Sequence, residues 1–100
     1  GSVWCEVAGG DIYFTGGWDD NGYPGNKVFR VNGSSLLEVT QKSNMLRGRI
    51  YHGGVYYKDY LYAIGGRNGN YMGECERLSV SEDRWEALQP LPQGCRNVSV

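Results

Sequence analysis

The stretch that decides the fold is Ile12–Gly17, with the sequence IYFTGG, which recurs 49 residues later as Leu61–Gly66, with the sequence LYAIGG. Continued at the same offset, the segment 28–39 falls on 77–88, and its apolar runs fall on apolar runs. Self-similarity at a fixed period is typical of repeat architectures, in which each repeat is one supersecondary unit stacked on the next. We therefore interpret the chain as two copies of one unit.

Each copy contains four short apolar runs separated by turn residues, and in the second copy these are Ile50–Tyr57, Tyr60–Ile64, Glu74–Val80 and Trp85–Leu88. The pair Lys58-Asp59 and the pair Asn32-Gly33 have the length and residue types of two-residue hairpins. The 16 glycines and 8 tyrosines, against 3 prolines, favour short strands joined by tight turns. The sequence predicts an all-β fold with one four-stranded antiparallel sheet per repeat.

Neither face of such a sheet is polar. Side chains alternate along a strand, so Tyr60, Tyr62 and Ile64 point to one face, while Leu61 and Ala63 point to the other. Sheets that are apolar on both faces have to stack, and closing the stack into a ring of typically four to eight blades removes its exposed ends. We therefore expect two blades of a β-propeller and a fragment of a larger closed ring.

The motifs resemble the kelch repeat: an apolar-Tyr-x-x-Gly-Gly strand end, a Trp (Trp85) opening the fourth strand, and an Arg before the next repeat (Arg49, Arg96). The resemblance covers nearly the whole chain, and a period of about 50 residues is that of this family. It implies a first repeat over 1–48, a second over 49–95 and the start of a third over 96–100. At the 49-residue offset, the counterpart of Trp85 is Leu36.

Five residues are assigned to the scaffold. Glycine permits positive φ and close backbone approach, and a buried Trp fills space while its indole N–H needs a partner. We expect turns at the glycines and inter-blade packing at the Trp; the residues are Gly16, Gly17, Gly65, Gly66 and Trp85.

Charge and composition exclude several classes of partner. Ten Lys and Arg against eleven Asp and Glu give a net charge of −1. The chain therefore lacks the excess of positive charge that is typical of nucleic-acid-binding domains. No apolar run is long enough to span a membrane, and no secretory leader is recognisable. Three cysteines without paired spacing suggest reduced thiols and a cytoplasmic location. Gly1-Ser2 is either native sequence or a cloning remnant.

The chain offers little catalytic chemistry, and we predict no enzyme activity, no catalytic residue and no cofactor. His52 is the single histidine and is expected to be buried or to line a channel. The run Asp19–Gly22 resembles a calcium loop but lacks the downstream Glu, so no metal is predicted. Cys5 and Cys75 fall on predicted strands as small buried side chains, whereas Cys95 beside an Arg is either inert or a reactive thiol.

Binding residues are expected on the connections between strands, because a rigid scaffold leaves recognition to its loops. The connection after each Gly pair contains aromatic, Arg and amide side chains, and the connection to the next repeat, predicted at the same end of the sheet, adds arginines. The predicted partner-binding residues are Trp18, Asp19, Tyr23, Arg47, Arg49, Arg67, Asn68, Tyr71 and Arg96.

The resemblance implies a non-catalytic protein–protein interaction module that needs further blades from its own chain or from other copies. In kelch proteins this role often serves a cullin-type ubiquitin ligase as a substrate receptor, with the motif arginines contacting an acidic peptide. Two alternatives stay open: a scaffold associated with actin, and a propeller enzyme of the galactose-oxidase or mutarotase type. The motif arginines could also simply bond loop carbonyl groups.

Overall fold

The computed structural model describes residues 2–6, 10–35 and 38–91, and these residues form two four-stranded antiparallel sheets and one small ribbon. The strands are β1 (Ser2–Glu6), β2 (Ile12–Gly16), β3 (Val28–Val31), β4 (Val39–Lys42), β5 (Gly53–Tyr57), β6 (Tyr60–Ile64), β7 (Arg67–Asn68), β8 (Asn70–Tyr71), β9 (Cys75–Ser79) and β10 (Arg84–Ala87). We call β1-β2-β3-β4 blade 1 and β5-β6-β9-β10 blade 2, while β7 and β8 form the ribbon. The predicted all-β architecture of two blades is confirmed. The described residues contain no helix that is long and apolar enough to cross a membrane.

The core lies between the two blades. Tyr13 and Val28 of blade 1 pack in one buried cluster with Leu61 and Leu78 of blade 2. Trp85 belongs to this cluster, and its indole N–H donates a hydrogen bond of 2.8 Å to the carbonyl oxygen of Ser43. The expected role of Trp85, packing between blades with its N–H satisfied, is confirmed.

The hairpin between β5 and β6 forms as predicted. Tyr57 pairs with Tyr60, so that Lys58 and Asp59 alone make the turn. Both turn residues have positive φ, 49° and 68°. A two-residue hairpin turn needs positive φ at both positions to match the twist of the two strands.

The 49-residue offset between equivalent positions of the two repeats does not hold beyond their second strands. Thr15 pairs with Val28 in blade 1, whereas Ile64, its counterpart, pairs with Cys75 in blade 2. Cys75 is therefore the structural equivalent of Val28. Between these paired residues the chain is two residues shorter in blade 2, so the constant 49-residue offset was wrong for β9.

The counterpart of Trp85 also changes. Val31 pairs with Val39 in blade 1, and Leu78, the equivalent of Val31, pairs with Trp85 in blade 2. Val39 therefore stands where Trp85 stands in blade 2, and the assignment to Leu36, which lies outside the described residues, was wrong.

One of the three residues of this shift arises at Asn32, whose side chain builds a wider turn than a two-residue hairpin. Its carboxamide oxygen accepts hydrogen bonds from the backbone N–H of Ser34 at 2.8 Å and of Ser35 at 3.2 Å. Its own N–H donates to the carbonyl of Glu38 at 3.0 Å, which closes the hairpin one residue before β4 begins. An Asn side chain that bonds the following backbone competes with the tight Asn-Gly turn.

One glycine of each pair makes the close approach that was predicted. Gly16 and Gly66 have φ of 68° and 101°, which other residues rarely adopt. A Cβ on Gly66 would lie 2.7 Å from the carbonyl oxygen of Ile50, and one on Gly16 would collide with the carbonyl of Arg49. Both glycines therefore allow the incoming connection between the blades to pass against the strand ends.

Candidate functional site

Three connections lie at one end of the two blades, and we call the surface they form the loop face: 17–27, 43–52 and 65–74. The first and third connections follow the second strand of each blade, and 43–52 carries the chain from blade 1 to blade 2. Ile50 and Arg67 join two of them through a reciprocal pair of backbone hydrogen bonds, of 3.0 and 2.8 Å. This bridge makes the loop face continuous across the blade boundary.

The connection 17–27 is folded around Asp19. One carboxylate oxygen of Asp19 accepts hydrogen bonds of 2.9 Å from the backbone N–H groups of both Asn21 and Tyr23. Trp18 and Pro24 form a bridge at the base of the same turn. Asp19 thus supports the loop that presents Trp18 and Tyr23, whose exposed fractions are 55% and 68%.

The connection 65–74 contains the ribbon of β7 and β8. Arg67 pairs with Tyr71 and Asn68 pairs with Asn70 around Gly69, which has φ of 78°. The Asn68 side-chain amide donates a hydrogen bond of 2.8 Å to the carbonyl of Gly48, which ties the ribbon to the connection between the blades.

A groove of about 340 Å³ lies between these two loops. Four of the predicted partner-binding residues line it together: Trp18, Tyr23, Arg67 and Asn68. Ile50, buried at its base, and Pro24 complete the apolar part of the lining. Tyr71 lies across the ribbon from Arg67 and borders a neighbouring hollow of about 210 Å³.

Arg49 has a different location from the one predicted. Its side chain is fully buried, and one guanidinium nitrogen donates to the carbonyl oxygens of Gly65 at 2.8 Å and Glu74 at 2.9 Å. Its other terminal nitrogen forms an ion pair of 2.8 Å with Glu76, which is buried as well. The Arg49 side chain therefore ties the connection between the blades to blade 2 and presents no surface for a partner, a correction to its predicted role at the rim. The alternative in which a motif arginine bonds loop carbonyl groups describes it correctly.

Glu76 is the residue of this region that the sequence analysis missed. Besides the ion pair with Arg49, its carboxylate accepts hydrogen bonds from the backbone N–H groups of Leu46 at 2.6 Å and Arg47 at 3.1 Å. The signal was available in the alternation of β9, because Glu76 and Leu78 point to the same, buried face. A carboxylate on such a face needs a cation and N–H donors to be stable there.

Arg47 is exposed, as predicted, but its guanidinium already forms an ion pair of 2.7 Å with Glu74. The pKa of the Glu74 carboxyl is lowered, first by a hydrogen bond from its own backbone N–H and then by Arg47. Leu46, which was not predicted as a site residue, is 55% exposed beside this pair and adds an apolar side chain to the loop face. Arg96 and Cys95 lie outside the described residues.

His52 is buried, as predicted, and joins the connection between the blades to the second strand of blade 1. Its Nε2 lies 2.7 Å from the Thr15 hydroxyl in a buried hydrogen bond. Burial, and then the charge of Arg49, lower the pKa of His52 to about 3. The imidazole is therefore neutral at physiological pH, held away from solvent.

No group of three or more His, Cys, Asp or Glu side chains that could hold a metal ion occurs among the residues described. Cys75 is buried and not in a disulfide, as its strand position suggested.

Comparison with known proteins relates the chain to one kind of repeat. Residues 48–92 match the family model described as Kelch motif. The chain is 29% identical over 87 residues to Kelch repeat and BTB domain-containing protein 2 of cowpox virus (strain GRI-90 / Grishak), covering 86% of this chain and 15% of that protein. The protein of the same name from horsepox virus is 28% identical over 87 residues, covering 86% of this chain and 16% of that protein. The chain thus spans about one sixth of the length of these curated relatives.

Among solved structures, that of YjhT is similar in fold. It superposes with a TM-score of 0.74 at 14% sequence identity, covering 95% of this chain and 29% of that chain. At this identity the likeness concerns the fold alone.

Proposed function

Because the chain is a kelch-repeat protein, we propose that it is a non-catalytic interaction module that binds a partner protein through its loop face. The observation that carries the proposal is the groove between the loops, where Trp18, Tyr23 and Arg67 converge on apolar walls. Exposed aromatic and Arg side chains around a groove are the residue types that dominate the binding energy of protein interfaces.

The rigidity of the supporting scaffold favours this proposal. The Asp19 turn and the Asn68 contact with Gly48 hold the groove residues in place before any partner arrives. A preorganised surface loses less conformational entropy on binding than a mobile one. The loop face is therefore suited to recognise one defined partner segment.

Capture of binding proteins from a cell extract by the immobilised chain tests the proposal. We expect a discrete set of proteins to bind the native chain and to be lost from the Trp18→Ala, Arg67→Ala double variant. The matched control is Arg84→Ala, which also removes an exposed arginine but lies at the start of β10, at the opposite end of the blade. Capture that is equal for all three forms would refute binding through the loop face.

As a finer proposal, the bound segment is an acidic peptide. Arg67 lines the groove beside apolar and aromatic side chains, and a guanidinium binds carboxylates through paired hydrogen bonds. On an array of synthetic peptides, we expect the labelled chain to bind sequences with Asp or Glu next to an apolar residue. Binding should fall at least tenfold for Arg67→Ala and be unchanged for Arg84→Ala; equal binding to peptides in which Lys replaces the acids would contradict this.

We also propose that the whole protein is a substrate receptor of a cullin-type ubiquitin ligase in the cytoplasm. The support is that the viral relatives, named Kelch repeat and BTB domain-containing protein 2, combine kelch repeats with a BTB domain. Co-purification of a cullin with the full-length protein, and its absence when the BTB domain is deleted, is the expected result. A full-length protein without a BTB domain or a bound cullin would contradict it.

A further inference from the structure

The dipeptide Asn-Gly occurs three times in the chain, at Asn21-Gly22, Asn32-Gly33 and Asn68-Gly69. In this dipeptide an asparagine loses its side-chain amide nitrogen most readily, because glycine has no Cβ to keep its backbone nitrogen away from the preceding side chain. From the dipeptide alone, the three sites have the same reactivity. The fold places them in different surroundings.

The reaction needs water and no other co-reactant. The backbone nitrogen of the glycine attacks the side-chain carbonyl carbon of the asparagine, and the new C–N bond closes a succinimide ring. The side-chain amide nitrogen leaves as ammonia and takes the proton of the glycine N–H with it. A water molecule then opens the ring to aspartate or isoaspartate. The rate therefore depends on a glycine N–H that can release its proton, a carboxamide that can rotate, and room for the ring.

At Asn32 all three conditions are unfavourable. Its carboxamide oxygen accepts hydrogen bonds from the backbone N–H and the hydroxyl of Ser34, at 2.8 and 2.7 Å. The Gly33 N–H donates to the carboxylate of Asp11 at 2.8 Å, and a negative charge at that place opposes the loss of the proton. A Cβ on Gly33 would collide with the carbonyl of Gly10, so the backbone has no spare space on that side.

At Asn68 the space is open, but the side chain is held. In the described part of the chain, a Cβ on Gly69 would meet no atom within 4 Å. The side-chain nitrogen of Asn68, which would have to leave, donates a hydrogen bond of 2.8 Å to the carbonyl of Gly48. The backbone of Asn68 is also paired with Asn70 in the ribbon. Closing the ring at this site requires these interactions to be broken.

Asn21 has the most favourable surroundings of the three. It is exposed on the loop face, and its carboxamide has no hydrogen-bond partner among the residues that the structure describes. A Cβ on Gly22 would meet open space, as at Gly69. The Gly22 N–H donates to the neutral carbonyl of Asp19 at 3.1 Å, which opposes release of the proton less than a carboxylate does.

We propose that Asn21 is a site of spontaneous deamidation, and that the fold protects Asn32 and Asn68 from the same reaction. The product adds a negative charge to the turn that presents Trp18 and Tyr23 on the loop face. Isoaspartate also lengthens the backbone of this turn by a methylene group. A carboxylate beside the groove should weaken the binding of an acidic peptide, an effect that rests on the proposed function.

The rates of deamidation at the three sites test the proposal, measured on the native protein and on the protein unfolded in guanidinium chloride at the same mildly alkaline pH. Cleavage after Lys and Arg places the three asparagines in separate peptides, 1–27, 31–42 and 68–77. Mass spectrometry of these peptides, with fragmentation to locate the change, reports the conversion of amide to acid.

In the unfolded protein we expect similar rates at all three sites, because the dipeptide is the same. In the native protein, Asn21 should react about tenfold faster than Asn32 and Asn68, a factor that corresponds to the net strength of a hydrogen bond. Equal native rates at the three sites, or a fastest native rate at Asn32 or Asn68, would overturn the proposal.

The effect on binding is measured separately with Asn21→Asp, which has the charge of one product. This variant should bind the acidic peptides of the array more weakly than the native protein. Equal binding would overturn the effect on the groove, whereas a native protein that binds none of the peptides would refute the proposed function instead. The rates are measured without any partner, so the two proposals fail separately.

Discussion

The guanidinium of Arg49 and the carboxylate of Glu76 meet at 2.8 Å between the two blades, and neither side chain reaches solvent. The pair joins the connection between the blades to the third strand of blade 2. Because it is buried, Arg49 belongs to the scaffold and not to the recognition surface. The groove of the loop face is lined by other residues.

Replacing Arg49 by alanine should lower the free energy of unfolding by about 3–5 kcal/mol, because it leaves the buried Glu76 carboxylate without its cation. Urea unfolding followed by tryptophan fluorescence measures the change. The control is Arg47→Ala, which breaks the exposed ion pair with Glu74 and should cost less than about 1 kcal/mol. Equal costs for the two arginines would contradict the structural role of Arg49.

Replacing Trp85 by phenylalanine should lower the free energy of unfolding by about 1–3 kcal/mol, because the part-buried carbonyl of Ser43 loses its donor and part of the core is emptied. Calorimetry on the native chain and the variant measures the loss. Trp18→Phe, a control at an exposed position, is expected to change stability by less than about 0.5 kcal/mol. A Trp85→Phe variant as stable as the Trp18→Phe control would show that the inter-blade contact contributes little.

Stability should fall as the pH is lowered from 6.5 towards 5, because the pKa of His52 is about 3 in the folded chain and about 6.5 in the unfolded chain. The unfolded state then binds a proton that the folded state does not bind, so the free energy of unfolding at pH 5.5 should be about 1.4 kcal/mol lower than at pH 8, and about 1 kcal/mol lower than at pH 6.5. His52 is the single histidine. The free energy of unfolding, measured with denaturant at each pH, should therefore depend less on pH in the His52→Gln variant. An unchanged slope in that variant would mean that His52 is not responsible.

Replacing Gly66 by alanine should destabilise the chain by about 2 kcal/mol more than replacing Gly69 by alanine. Both positions have positive φ and share the backbone strain, which costs about 1 kcal/mol, but only a Cβ at Gly66 meets other atoms, 2.7 Å from the Ile50 carbonyl. Around Gly69 there is open space. Thermal unfolding of both variants measures the difference, and similar melting temperatures would argue against the close approach.

Local chemistry was sufficient to predict the repeating unit. The recurrence of Ile12–Gly17 as Leu61–Gly66 predicted the second strands and their glycine turns, and Lys58-Asp59 predicted its hairpin. These features depend on backbone preferences and on side-chain alternation, both of which are written in neighbouring residues. The exception was Asn32. The residue pair Asn32-Gly33 is compatible with a tight two-residue turn, but an Asn side chain can also accept hydrogen bonds from the backbone that follows it, and this second arrangement is the one observed.

For the candidate site, the sequence could predict which residue types would lie on the loops but not which of them would face solvent. Trp18, Tyr23 and Arg67 line one groove because the connection 43–52 bonds to both of their loops, through the N–H of Arg49 to the carbonyl of Gly25 and through the bridge between Ile50 and Arg67. That bridge joins backbone groups far apart in the chain, and no local pattern indicates it.

By itself, then, the sequence determined that one four-stranded unit repeats, and it placed the second strands and their glycine turns, since these follow from the conformational limits of adjacent residues. Only the tertiary structure decided that Arg49 is buried and Arg67 is free to line a groove. The reason is that the solvation of a charged side chain depends on what lies opposite it after folding. For Arg49 this is Glu76, 27 residues away on another strand.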